Sequence, residues 1–317
     1  NISGFDQDLA WKALLKEAFE ETADGAFGKE SLKSYIKLGY VPLDEKKYDA
    51  CSQTLDFAFS DAATASVASK LGYIREESIL RTRSVRALKE LYSKKTGLMS
   101  RKFKSGRMVD MHAKVWGEGY MEGSAWHHSF PPFNLSALAE LHGGRQTLLT
   151  RLRKVLDTPA EFSFGTYDAE IHEMREMRLL GLGQYAHNNQ PMHHFPYLFA
   201  ALGDHTATSK LVRQTLARAY SSGGFSGDED NGEMGAWYVL SAMGLFAIDP
   251  GVTDRYVFGA IPLFPKMYIR DLRVSINARS AEQDWPLVSE IRWDTQAIES
   301  ESISYSTLRK GGVVEFI

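Results

Sequence analysis

Over residues 5 to about 250, apolar side chains recur in three- and four-residue steps, and glycines punctuate the pattern. Between Leu55 and Leu71 the set Leu55, Ala58, Phe59, Ala62, Ala63, Val67 and Leu71 traces one face of a helix. The same spacing predicts helices over Asp8–Glu21, Glu76–Tyr92, Leu135–Leu141, Thr147–Leu156, Pro191–Leu202, Thr208–Tyr220 and Met234–Phe246. Gly39, Gly72, Gly97, Gly143-Gly144, Gly203 and Gly223-Gly224 stand where such helices stop, because glycine adopts the left-handed backbone that closes a helix C-terminus. After Pro250 the texture changes. Tyr256–Phe258, Lys266–Ile269, Leu272–Ile276, Val288–Trp293, Ile303–Tyr305 and Val313–Ile317 are short, β-branched or aromatic, and bounded by turn residues, as strands are. The expected fold is mainly α over residues 1–250, with a small β-rich region over 251–317. A ring of antiparallel helix pairs would collect the long loops, and the unusual residues they carry, at one end.

The chain has 317 residues, a net charge of −3 and one cysteine. That length buries a large core. The acidic balance argues against a nucleic-acid partner, which calls for a basic face. The apolar runs are short and interrupted, so no membrane span is expected. Cys51 excludes an intrachain disulfide and reads as a buried helix residue. Asn1-Ile2-Ser3-Gly4-Phe5 shows neither a starting Met nor a signal-peptide pattern, and reads like the interior of a longer polypeptide.

Four loop segments hold residues that folding alone does not call for. In Gly227-Asp228-Glu229-Asp230-Asn231-Gly232, three adjacent carboxylates disfavour one another's ionisation, and Trp237 and Tyr238 follow closely. Carboxylates beside aromatics suit a sugar, which is polar at its rim and apolar on its faces; a solvated loop capping the next helix is the plainer reading. In Gly119–His128, Glu122 lies between Met121 and Trp126, where desolvation would keep a proton on the carboxyl for general-acid work. The alternative is an acidic turn ahead of a buried tryptophan. In Glu170–Met177, His172-Glu173 suggests a zinc protease, but Glu176 and Met177 stand where the second histidine belongs. Adjacent His and Glu offer a donor and an acceptor to vicinal hydroxyls, unless they are part of a surface face paired with Arg175 and Arg178. In Gly183–His194, three histidines and several amides include Asn189 and Gln190, oxygen donors of the kind calcium prefers.

Taken together these segments resemble glycoside hydrolase family 92, the calcium-dependent exo-acting α-mannosidases. The resemblance rests on Gly39-Tyr40-Val41-Pro42, Thr96-Gly97-Leu98-Met99, Glu122-Gly123-Ser124-Ala125-Trp126, Glu170–Met174, His187–His194 and Gly227–Tyr238. It implies an (α/α)6 toroid, incomplete here at its N-terminus, with an upstream β-sandwich domain that supplies an aromatic to the site. It implies inverting removal of terminal α-linked mannose, α-1,2-linked by the His172-Glu173 pair, from mannose-rich oligosaccharides or glycoprotein glycans outside the cytoplasm, in a secreted or periplasmic setting. Glu122 is then the acid, and Asp230, assisted by Asp228, the base. His172, Glu173, Trp126, His193, His194 and Trp237 are expected to contact substrate, and Asn189 and Gln190 to bind Ca2+. Gln190 departs from a common Glu, Met121 from a common Thr and Glu233 from a common Gln. The competing expectation is a non-catalytic glycan-binding or scaffold fragment of such an enzyme. A toroidal polysaccharide lyase is a poorer fit, since it needs an acidic polymer and this chain is itself acidic.

Overall fold

Small side chains decide how the 22-residue helix Ala50–Leu71 packs. Ala58, Ala62, Ala65 and Ala68 are all buried on it, so neighbouring backbones approach closely. The structure is a computed structural model that describes residues 4–21, 28–278, 288–298 and 300–317; Asn1, Ile2 and Ser3 lie outside the described residues. It divides into two compact units, Asn1–Leu141 with Ser163–Asp168, and His142–Phe162 with Ala169–Ile317. Short strands predominate after Pro250. Helices Arg145–Asp157 to Glu233–Ala242 and the strands from Arg255 onward share the second unit.

In the first unit, helix Ala50–Leu71 turns back into helix Ile74–Leu91 through Gly72, whose φ of 82° closes the first helix with hydrogen bonds to Ala68 and Ser69. Between these helices lies a buried ionic group. Arg83 Nε and Nη2 grip the two oxygens of Asp61 at 2.5 and 2.6 Å, and the Tyr35 hydroxyl donates to the same carboxylate at 2.8 Å. Arg83 also donates to the Ala18 carbonyl, which ties in helix Gln7–Phe19. Lys29 stands 3.8 Å from Asp61, and burial, ahead of the charge effects, pulls its ammonium below the usual value. Cys51 is fully buried, and desolvation pushes its thiol up to about 12.

In the second unit, helices Arg145–Asp157, His172–Leu180, Phe195–Ala201, His205–Ala219 and Glu233–Ala242 precede the strands from Leu245 onward, and a short pair of strands, Tyr220–Ser221 and Gly224–Phe225, lies between the last two helices. A five-stranded sheet runs in the order Gln296–Ala297, Ile291–Trp293, Gly312–Phe316, Val274–Ala278, Lys266–Ile269, with Gly312–Phe316 parallel to Val274–Ala278. Val274, Ile276 and Ala278 face a core with Phe258, Val314 and Phe316, while Ser275 and Asn277 alternate outward, the period of two that a half-buried strand requires. Among the described residues no helix is long and apolar enough to cross a membrane.

Candidate active site

The expected site residues fall in both units. Glu122, in the first, is carried by a tight turn. Gly117 N–H donates to the Gly123 carbonyl at 2.8 Å, and Ser124 N–H to His127 Nδ1 at 3.1 Å, at the start of the short helix Ala125–His128. Only glycine fits position 123: its φ is 156°, and a Cβ there would lie 2.5 Å from His127 Nδ1. Glu122 itself adopts φ 49°, the left-handed region that a non-glycine residue enters at a cost. Its N–H donates to the Tyr167 hydroxyl at 3.2 Å. Met121 is anchored by its own backbone, N–H to Ser52 Oγ at 3.0 Å and carbonyl to His128 Nε2 at 2.8 Å.

Glu122 and Met121 are both exposed, the latter at 59%, so the methionine does not desolvate the carboxyl as the sequence led us to expect. The left-handed turn carries both out of the core that Trp126 enters, where Trp126 stacks on Phe130. Beside this turn opens a cleft of about 600 Å3 lined by Lys47, Tyr48, Tyr120, Met121, Thr166 and Tyr167.

The second unit brings the other three segments together. His172 opens helix His172–Leu180 and is met by three carboxylates: Glu173 Oε1 and Glu176 Oε1 at 3.3 Å and Asp228 Oδ2 at 3.9 Å. The hydrogen bond to Glu176, helped by the charges of Glu173 and Asp228, raises the imidazole's proton affinity above its usual value. The plainer reading of this segment holds for another residue: Glu170 is the one that pairs with Arg175 and Arg178. Asn188 Nδ2 donates at 3.0 Å to both the Glu173 carbonyl and Glu176 Oε2. Two buried oxygens, Asn188 Oδ1 and Glu173 Oε2, are left without a hydrogen-bond partner. Asn189 is buried and begins the single turn Gln190–Met192, and Gln190 Nε2 donates to the Asp228 carbonyl at 2.8 Å.

Asp228 and Asp230 are exposed, and Asp230, like Glu122, sits in the left-handed region, at φ 45°. Trp237 is buried, its ring against His187 and its indole N–H donating to the His193 carbonyl at 3.0 Å. His193 is buried with both ring nitrogens engaged, and His194 is half-buried. Trp126, Trp237 and His193 are therefore core side chains, whereas His172, Asp228 and Asp230 reach solvent. Burial and the neighbouring His193 hold His187 well below the usual imidazole range, so it is neutral between the Tyr185 and Tyr220 hydroxyls, each 2.8 Å away.

Sequence reasoning missed Tyr167, Asn188 and Glu176 as partners of the site. Only Glu176 left a signal, four residues after His172 on one helix face. Among the described residues no group of three or more His, Cys, Asp or Glu is arranged to hold a metal ion. Amide and backbone oxygens, which calcium accepts, fall outside that set.

The comparisons with known proteins agree with one another. The sequence model described as "Glycosyl hydrolase family 92 catalytic domain" matches residues 1–317. An inverting mannosidase of family GH92 from Bacteroides thetaiotaomicron superposes with a TM-score of 0.82 at 31% identity, over 99% of this chain and 43% of that one. A family GH92 α-mannosidase of the same bacterium gives 0.82 at 22% identity, over 99% and 40%, and so speaks for the fold. A protein described as an uncharacterized secreted glycosidase from Arthroderma benhamiae is 23% identical over 84% of this chain and 35% of its own length. The chain thus spans less than half the length of these relatives.

Proposed function

Because the chain belongs to glycosyl hydrolase family 92, we propose that it carries catalytic machinery of an exo-acting α-mannosidase that removes terminal, α-1,2-linked mannose from mannose-rich glycans by an inverting, calcium-dependent mechanism. The observation that carries this reading is the convergence, within one unit, of His172, Glu173, Asn188, Gln190 and Asp228 at hydrogen-bonding or ion-pairing range. The likeness to a protein described as an inverting mannosidase, at 31% identity, supports the reaction class. The description of another relative as secreted supports a setting outside the cytoplasm. An upstream β-sandwich belongs to the same proposal, as does closure of the helices into an (α/α)6 ring.

Glu122 gives its proton to the glycosidic oxygen as the C1–O bond breaks. Asp230, with Asp228, takes a proton from the water whose oxygen bonds to C1 from the opposite face, and the anomeric configuration inverts. His172 and Glu173 present a donor and an acceptor to the neighbouring sugar's hydroxyls; the raised proton affinity of His172 keeps the donor in place. The residues fit a calcium ion. The oxygens of Asn189 and Gln190 are hard donors, and the two unpartnered oxygens of Asn188 and Glu173 show local acceptor capacity in excess of donors. When bound there, calcium supplies positive charge that polarises sugar hydroxyls.

Glu122→Gln tests the assignment. It is expected to slow hydrolysis of α-1,2-mannobiose by about 10²–10⁴-fold while sparing an aryl α-mannoside whose leaving group needs no proton. Near-normal cleavage of the disaccharide by that variant refutes the role given to Glu122.

A further inference from the structure

The loop from Gly227 to Gly232 exposes Asp228 and Asp230 and contains two consecutive left-handed non-glycine residues, Asp230 and Asn231 at φ 45° and 61°. Such a loop keeps one shape only if its surroundings over-determine it. One segment touches it at three points. Gly227, at the loop's entry, lies against the Asn188 carbonyl so closely that a Cβ there would sit 2.4 Å from the oxygen. In the middle, the Asp228 carbonyl accepts from Gln190 Nε2 at 2.8 Å. At the exit, Glu233 Oε1 meets His193 Nδ1 at 3.0 Å. We propose that the segment Asn188–His193 is a clamp that positions the acidic loop, with His193 and Glu233 as its closing pair and His193 as a positioning residue. The proposal rests on the reading that this loop carries the water-activating carboxylates.

The closing pair is anchored on the core side. His193 Nε2 lies 2.8 Å from the His187 carbonyl, its own carbonyl accepts from the Trp237 indole, and it is 2% exposed. A carbonyl oxygen only accepts, so Nε2 carries the hydrogen of that bond, and Nδ1 reaches the Glu233 carboxylate as a second donor. With both nitrogens engaged, His193 has nothing left to offer a sugar hydroxyl. Glu233 is half exposed and is the first residue of helix Glu233–Ala242, and its N–H bonds to the carbonyls of Glu229 and Asp230, so fixing its side chain fixes the end of the loop. An amide at position 233 makes the same contact with roles exchanged, its NH2 donating to the Nδ1 lone pair of a neutral ring. Alanine makes none.

That difference supplies the test. Hydrogen exchange is followed by mass spectrometry on a peptide covering residues 227–234 of the full chain, in wild type, Glu233→Ala and Glu233→Gln; because Glu233 is half exposed, neither variant empties the core. Glu233→Ala is expected to speed exchange in that peptide by roughly tenfold, and Glu233→Gln to stay within about twofold of wild type. Unchanged exchange in Glu233→Ala, or equally fast exchange in Glu233→Gln, overturns the clamp. On an aryl α-mannoside, Glu233→Ala should lower kcat with KM little changed, Glu233→Gln should restore it, and Asp230→Asn should abolish turnover. Full turnover by Asp230→Asn would instead remove the catalytic reading of the loop, and the positioning role with it, whatever the exchange data show.

Discussion

Replacing Arg83 with Met removes the principal counter-charge of Asp61 without emptying the space its stem occupies. Asp61 is fully buried and receives two charge-assisted bonds from that guanidinium. In the variant, its carboxylate keeps the Tyr35 hydroxyl at 2.8 Å and Lys29 at 3.8 Å. A buried charge stripped of its main partner costs about 3–5 kcal/mol, which for a unit of this size lowers the melting temperature by roughly 10 °C. The double variant Asp61→Asn/Arg83→Met removes both charges while leaving Tyr35 an oxygen to donate to. Lys29, already held below its usual range, can shed its proton. The double variant should therefore recover much of the loss, because a missing ion pair is tolerated better than half of one. Thermal unfolding followed by circular dichroism reads both. Arg83→Met within about 1 kcal/mol of wild type, or a double variant as unstable as the sum of its parts, refutes the reasoning.

Two further outcomes concern pH and metal. His142 is buried, and desolvation, aided by Arg151, lowers its imidazole to about 4. The unfolded chain thus binds a proton near pH 6.5 that the folded chain refuses until about 4, so stability falls as pH drops through that window. His142→Leu should flatten this acid limb in urea titrations at pH 7 and pH 5, and an undiminished drop counts against it. Thorough chelation should abolish mannoside hydrolysis and calcium should restore it; full activity after chelation rules out the metal requirement.

Most helices were legible because their apolar faces span several turns. The patterns over Asp8–Glu21, Glu76–Tyr92 and Thr147–Leu156 became helices Gln7–Phe19, Ile74–Leu91 and Arg145–Asp157, and Leu135–Leu141 was matched at both ends. Ala125–His128 escaped because a single turn shows too little periodicity to read, and Leu32–Leu38 was not read either. His172–Leu180 does carry Met174, Met177 and Leu180 on a buried face, but its charged residues drew the reading toward surface chemistry. The stretch Met234–Phe246, expected as one helix, stops at Ala242, and after Gly244, at φ 77°, Leu245–Phe246 pairs instead with strand Arg255–Phe258. Most strands from Lys266 onward were visible as short β-branched or aromatic runs bounded by turn residues, whereas the exposed pair Gln296–Ala297 was not read. In the site, residue types identified the segments, but their partnerships were hidden. Nothing local says that Asn188 faces Glu176 or that Glu233 closes on His193, because such contacts depend on where the backbone places distant segments. The desolvation expected of Glu122 failed for a related reason, since sequence neighbours on a left-handed turn need not enclose one another.

The lone thiol of Cys51 offers a clock. Fully enclosed on helix Ala50–Leu71, and with so little thiolate at neutral pH, it is closed to alkylating reagents while that helix stays seated. Its labelling rate therefore counts the openings of the helix that also bears Asp61, with no competing sulfhydryl in the sequence to blur the count.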